Sequence, residues 1–191
     1  MAHTTKQRLL EQGMAMLLRT GYSDLGIAAL LEATGIPKGS FYHHFKSKEE
    51  FAIQAVDLYM EGVHQALDAC LNDPALPPLA RIRSFFAAVQ DSYRGEGYLG
   101  CLLGGLGQEL SGVSEEFRRK VDHCLSSIAR RLAGCLEEAV KNGQLASDTD
   151  PQALAELLVN CWEGAALRTR LRRDPAPLGQ MLDFYFKTAA G

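Results

Sequence analysis

Ile27-Ala28-Ala29-Leu30-Leu31-Glu32-Ala33-Thr34-Gly35-Ile36-Pro37-Lys38-Gly39-Ser40-Phe41-Tyr42-His43-His44-Phe45-Lys46-Ser47-Lys48-Glu49-Glu50 is the stretch whose reading decides the fold. Its first part belongs to a short helix from about Leu25 to Ala33, with Ser23 or Asp24 as cap and Ile27, Leu30 and Leu31 turned inward. Thr34-Gly35 ends that helix, because glycine takes up the left-handed turn that other residues resist. Pro37 reopens the chain. It lacks the amide that would go unpaired in a first turn, and so suits a third helix from Lys38 to about Phe45. Ser47 then caps a long helix to about Leu71, with Glu50 three residues on as its capping-box partner. Helix, tight turn and helix are read from punctuation alone.

Working outward, a first helix runs from about Thr4 to Arg19, with Thr4 or Thr5 as N-cap, Gly21 as stop and Leu10, Met14, Leu17 and Leu18 as its buried stripe. Beyond Leu71 the cluster Asn72-Asp73-Pro74-Ala75-Leu76-Pro77-Pro78 is a turn between elements, too short for a flexible linker. Helices are expected at about Leu79 to Tyr93, Leu99 to Leu110, Ser114 to Lys141, Pro151 to Arg172 and Pro175 to Ala189, each bounded by Gly, Ser-Gly, Asn-Gly or Asp-Pro signals. No stretch shows the strict alternation of a strand, so the fold class is all-α. A small N-terminal group of three helices is expected, joined by the long fourth helix to a larger bundle.

The third helix carries the chemistry. Phe41 and Phe45 lie four apart and face inward, which leaves Lys38, Gly39, Ser40, Tyr42, His43 and His44 to the outside. A helix-turn-helix needs a packed first helix, a close turn and a second helix whose outer face is polar and able to donate hydrogen bonds to a DNA groove and its phosphates. Lys38 sits where free helix amides can also bind phosphate. Lys46 and Lys48 stand near the start of the fourth helix, where the dipole disfavours a cation unless a phosphate comes close; a solvated face is the alternative for either one.

Charge alone would not have pointed there. The chain of 191 residues carries Lys+Arg 20 against Asp+Glu 23, a net charge of −3. Residues 1–50 hold six Lys/Arg and five acids, a local excess of one positive charge. With 47% hydrophobic and 23% charged residues, the composition is that of an ordinary globular protein. No run reaches the roughly 18 apolar residues of a membrane span, and Met1 to Lys6 holds no apolar run before a cleavage site, so the expected location is the cytoplasm, with no membrane partner. Cys70, Cys101, Cys124, Cys135 and Cys161 form no CxxC pair and are expected to be reduced thiols. Nothing in the sequence suggests an enzyme or a cofactor: no P-loop, HExxH or nucleophile elbow is present. His43 and His44 point about 100° apart on a helix and cannot share a metal, so no metal site is expected.

Ile36-Pro37-Lys38-Gly39-Ser40-Phe41-Tyr42-His43-His44-Phe45-Lys46-Ser47-Lys48-Glu49 closely resembles the DNA-binding domain of TetR-family transcriptional regulators over roughly residues 5 to 55. Gly26 stands where that family commonly has Thr or Val. The resemblance implies a helix-turn-helix DNA-binding domain over residues 1–48 and an effector-binding and dimerisation bundle over residues 49–191. It further implies a homodimer on a palindromic operator in double-stranded DNA, released by a small-molecule effector. The last two helices would pair the protomers, with Leu154, Leu157, Leu158, Cys161, Leu182 and Tyr185 at facing positions or in the protomer's own core.

The effector has to be read from chemistry. Three glycines, Gly104, Gly105 and Gly107, interrupt an apolar helix at roughly 1 kcal/mol each relative to Ala, which implies close approach of another helix or of a ligand. The pattern Gly100-Cys101-Leu102-Leu103-Gly104 resembles the TetR branch of AcuR-like and NemR-like regulators, which control genes for reactive-compound detoxification or small unsaturated acids. Cys101 is expected in the first turn of its helix, where the dipole favours a thiolate; an inert buried thiol is the alternative. Trp162, with Glu163, Arg168 and Arg170 nearby, either lines a pocket for a small apolar or anionic molecule or belongs to the core.

Overall fold

The computed structural model describes residues 4–95 and 97–189; the first three residues of the expected DNA-binding domain lie outside them. Among the described residues the elements are nine helices: α1 (Thr5–Thr20), α2 (Ile27–Thr34), α3 (Lys38–His44), α4 (Lys48–Leu71), α5 (Pro78–Gly95), α6 (Leu102–Leu110), α7 (Glu115–Lys141), α8 (Pro151–Arg172) and α9 (Ala176–Ala189). They form two compact units. One holds the chain up to Gly62 together with Leu102–Val121; the other holds Val63–Cys101 and the chain from Asp122 onward. The N-terminal unit thus takes in more than the three helices expected, because α6 and the start of α7 return to pack within it.

In the N-terminal unit, Thr4 caps α1 by accepting the Gln7 amide at 3.1 Å, and the amide of Gly21 closes the helix on the Leu17 carbonyl. Leu9, Leu10 and Leu17 are buried, whereas Met14 and Leu18 are only half-buried. The core is aromatic. Phe41, Phe45 and Phe51 are fully buried, with ring centroids 5.0 to 5.3 Å apart. The expected cap of α4 is present: Ser47 Oγ accepts the Glu50 amide at 3.0 Å, and the Glu50 carboxylate reaches back to the Lys46 amide at 2.8 Å. Helix α2 starts two residues later than expected, at Ile27; Gly26 is its N-cap, with no side-chain hydrogen bond to the first turn.

In the C-terminal unit, Leu67, Ile82, Phe85, Phe86, Leu132, Leu136, Leu158 and Leu178 form the centre of one core that joins the end of α4 to α5, α7, α8 and α9. Asp150 caps α8, accepting the Gln152 and Ala153 amides at 3.0 and 3.1 Å. Arg173, left-handed at φ 53, ends it. The segment before α6 departs from the expected helix. Tyr98 and Gly100 both have positive φ (63 and 83), so a helix beginning at Leu99 is broken before its first turn and α6 starts only at Leu102.

Two glycines test this packing with opposite signs. A Cβ on Gly13 would lie 2.1 Å from the ring tip of Phe51, a ring with no room to move, whereas a Cβ on Gly62 of α4 would meet nothing within 4 Å. Gly62→Ala should stabilise the protein by about 0.5–1 kcal/mol in urea unfolding, as expected for an open helical site. Gly13→Ala should instead destabilise it by roughly 1–3 kcal/mol through overpacking.

Candidate nucleic-acid interface

Helix α3 is only seven residues long and could not persist alone in water. Phe41 on α3 and Phe45 just after it, packed on Phe51, hold it in place. The exposed side chains follow from that anchoring. Lys38, Gly39, Tyr42 and His43 are exposed, Ser40 and His44 are half-buried, and Lys46 is exposed just beyond the helix end. Tyr42 is 51% exposed although its ring packs edge-on against Phe41 at 5.3 Å. His44 packs against His43 at 5.0 Å. Beside these, Ile27, Ala28, Leu31, Glu32, Ile36, Lys38 and Tyr42 line a groove of about 510 Å³ between α2 and α3. Its apolar floor was not evident from the sequence, because Ile27 and Leu31 read there as inward-facing; both are only half-buried.

Lys48 departs from its neighbours. Its ammonium lies 4.4 Å over the Tyr22 ring and donates to the Ser23 carbonyl at 3.3 Å, so it braces the turn between α1 and α2. Burial, and then the nearby Glu49 carboxylate, raise the Tyr22 pKa above the usual phenol value, which keeps the ring neutral beneath the cation.

The expected effector residues do not gather in one unit. Cys101 and Trp162 belong to the C-terminal unit and Gly104 to the N-terminal one. Cys101 is half-buried and precedes α6 instead of lying in its first turn. Its thiol hydrogen-bonds to the Glu163 carboxylate, and burial raises the Glu163 pKa despite that bond. Trp162 is a core residue, 5% exposed, packed at 4.6 Å from Phe86 and 6.0 Å from Tyr93. Thr169, two turns further along the same stripe of α8, was not singled out by sequence. It is fully buried, and its hydroxyl has no hydrogen-bond partner among the described residues. Two of the three glycines are not explained by a tight approach: a Cβ on Gly105 meets nothing within 4 Å, and one on Gly107 touches only Val121 at 3.4 Å. Among the described residues no group of three His, Cys, Asp or Glu could hold a metal, and no helix is long and apolar enough to cross a membrane.

Residues 9–55 match the family model described as bacterial regulatory proteins, tetR family, and residues 78–185 match the tetracyclin repressor-like C-terminal domain. The chain belongs to the TetR family. It is similar to the transcriptional regulator AcuR of Cereibacter sphaeroides, 38% identical over 178 residues that cover 93% of this chain and 81% of that protein. The HTH-type transcriptional repressor DhaR of Mycobacterium sp. strain GP1 is 33% identical over 188 residues, covering 98% and 93%. A crystal structure of a regulatory protein TetR from Rhodobacter sphaeroides aligns with a TM-score of 0.91 at 37% identity, covering 95% of this chain and 96% of that one. As a member of the TetR family the protein is a DNA-binding transcriptional regulator and not an enzyme.

The thiols of this TetR-family chain differ sharply in environment. Cys135, which donates to the Pro78 carbonyl at 3.4 Å, is pushed up to about 11 by burial and then by the nearby Glu138. Cys124 is equally buried, while Cys70, Cys101 and Cys161 are half-buried. Alkylation of the folded protein with iodoacetamide near pH 8, followed by peptide mass spectrometry, should label only the three half-buried thiols. Labelling of Cys135 without unfolding would contradict this placement.

Proposed function

We propose that the protein is a homodimeric repressor that holds a palindromic operator in the cytoplasm and releases it when a small-molecule effector binds. The observation that carries this reading is α3 itself, a helix anchored in the core by Phe41 that leaves Lys38, Tyr42 and His43 exposed. In this reading residues 1–48 bind DNA and residues 49–191 bind the effector and the second copy. Lys38, Gly39, Ser40, Tyr42, His43, His44, Lys46 and Lys48 form the operator-binding set. Tyr42, Lys38 and Lys46 contact phosphate, Ser40 and His43 contact base edges, and the apolar groove beside α3 suits thymine methyl groups. Lys48 acts on the operator through the turn that it braces.

Self-association is supported by an outward stripe along α8: Ala153, Leu157, Asn160, Gly164, Leu167 and Leu171 are all exposed at alternating spacings of four and three. Laid antiparallel on a second copy about residue 162, Leu157 meets Leu167, Ala153 meets Leu171, Asn160 meets Gly164, and Glu156 meets Arg168. Exposed Phe184 on α9 extends the apolar area. Of the facing positions expected from sequence, Leu158, Leu182 and Tyr185 are instead buried in the protomer.

For the effector we propose a reactive or unsaturated compound held in the C-terminal unit, which contains both Cys101 and Trp162. The Cys101 thiol would add to the β-carbon of an activated alkene, forming the S–C bond as its proton passes to Glu163 and then to the α-carbon. The unpartnered Thr169 hydroxyl and the raised Glu163 pKa favour a polar guest in this unit. The lever is α4, which begins in the N-terminal unit and ends in the C-terminal one. A ligand that prefers the conformation with wrongly spaced α3 helices lowers operator affinity by linkage.

Selection of bound duplexes from a random pool should return a two-fold symmetric site, with affinity falling steeply in salt as phosphate neutralisation requires. Tyr42→Phe should weaken all duplexes alike, and Ser40 or His43 substitutions should shift the preferred bases. Leu167→Glu should give a folded monomer in sedimentation with operator affinity reduced at least about tenfold. Acrolein should release wild-type protein and not Cys101→Ser; equal release from both, with no adduct on Cys101, would leave only a non-covalent pocket.

A further inference from the structure

A carboxylate on α6 grips the turn from which α2 departs. Glu109 Oε2 accepts the Tyr22 amide at 2.5 Å, and Oε1 accepts the Ser23 amide at 3.4 Å. Gly21 makes room for this: a Cβ on it would lie 2.8 Å from both carboxylate oxygens, and its φ of 80 suits glycine alone. Two further helices hold the same turn. The Tyr22 ring meets Phe117 of α7 at 6.0 Å, and the Lys48 ammonium of α4 lies 4.4 Å over that ring. The grip is passed onward through the backbone. The Leu25 amide donates to the Tyr22 carbonyl at 3.2 Å, Leu25 is buried, and Gly26 immediately after it is the N-cap of α2. A shift of Tyr22 therefore shifts the start of α2, and with it α3, which is tied to α2 by the short connection through Ile36.

We propose that Glu109 is a positioning residue for DNA binding, which holds the α1–α2 turn through its two amides and makes α6 a second arm, besides α4, that sets operator affinity. The geometry favours a specific latch over general packing. Glu109 is exposed, so its truncation removes no core contact, yet an ionised carboxylate bonding two adjacent amides is a strong and directional tie. The α1 helix does not need it, since Gly21 already closes that helix on Leu17. Helix α6 begins at Leu102, the residue after Cys101, so one helix of nine residues leads from the proposed effector segment to the latch. The proposal needs only that the chain binds DNA, and stands whether or not Cys101 is the sensor.

The test uses the full-length protein, Glu109→Ala, Glu109→Gln and the duplex that the wild type selects from a random pool. Amide hydrogen exchange at Tyr22 and Ser23 should be slow in the wild type, fast in Glu109→Ala and intermediate in Glu109→Gln, whose carboxamide oxygen can still accept one amide. Duplex affinity should follow the same order, with Glu109→Ala weaker by about tenfold, a typical size for coupled sites. Melting temperature and dimer mass should stay near the wild-type values. The proposal is overturned if Glu109→Ala binds within about twofold of the wild type, if its Tyr22 and Ser23 amides stay protected, or if lost affinity merely tracks a lost folded fraction. Failure of the wild type to select any duplex would instead overturn DNA binding, and the latch with it.

Discussion

Phe41 and Phe45 have nowhere to go but inward, and most of what distinguishes this molecule depends on that. Their rings close with Phe51 into a fully buried cluster, and the cluster substitutes for the stability a seven-residue helix lacks by itself. Once those rings are placed, α3 has no rotational freedom left, and Lys38, Gly39, Tyr42 and His43 must face solvent. The constraint reaches other elements as well. Helix α1 has to pass the Phe51 ring so closely that any side chain at position 13 would collide with it.

Local signals were legible where their cause is local. Thr4, Gly35, Pro37, Ser47 with Glu50, and Asp150 each mark a helix end through a bond or a backbone angle formed within a few residues, and the structure has an end at each. The start of α2 was misplaced because the expected caps, Ser23 and Asp24, belong to a turn that is held by Glu109, 86 positions away from Ser23. No local pattern announces such a contact. The start of α6 was misplaced for a different reason: Tyr98 takes a left-handed angle that a tyrosine seldom adopts, so residue type gave no warning.

Side-chain roles divide along the same line. The inward and outward faces of α3 were readable because two aromatics four residues apart admit one arrangement only. On α8 both faces are apolar, and periodicity cannot say which of them is the protomer's own core; Leu158 is inside while Leu157, one residue earlier, is 52% exposed. Lys48 looked like one more cation beside a phosphate, but the aromatic ring that holds it comes from the α1–α2 turn. Trp162 was open between pocket and core, and its contacts with Phe86 and Tyr93 come from α5, far away in sequence.

In the proposed repressor α3 enters the major groove once in each protomer of a two-fold pair. Dimethyl sulfate probing of a selected duplex tests this directly, since guanine N7 lies in the major groove and adenine N3 in the minor. Guanine protection is expected in two patches related by two-fold symmetry and separated by a whole number of helical turns, with adenine N3 left reactive within them. Protection confined to adenine N3, or a single unsymmetric patch, would contradict it.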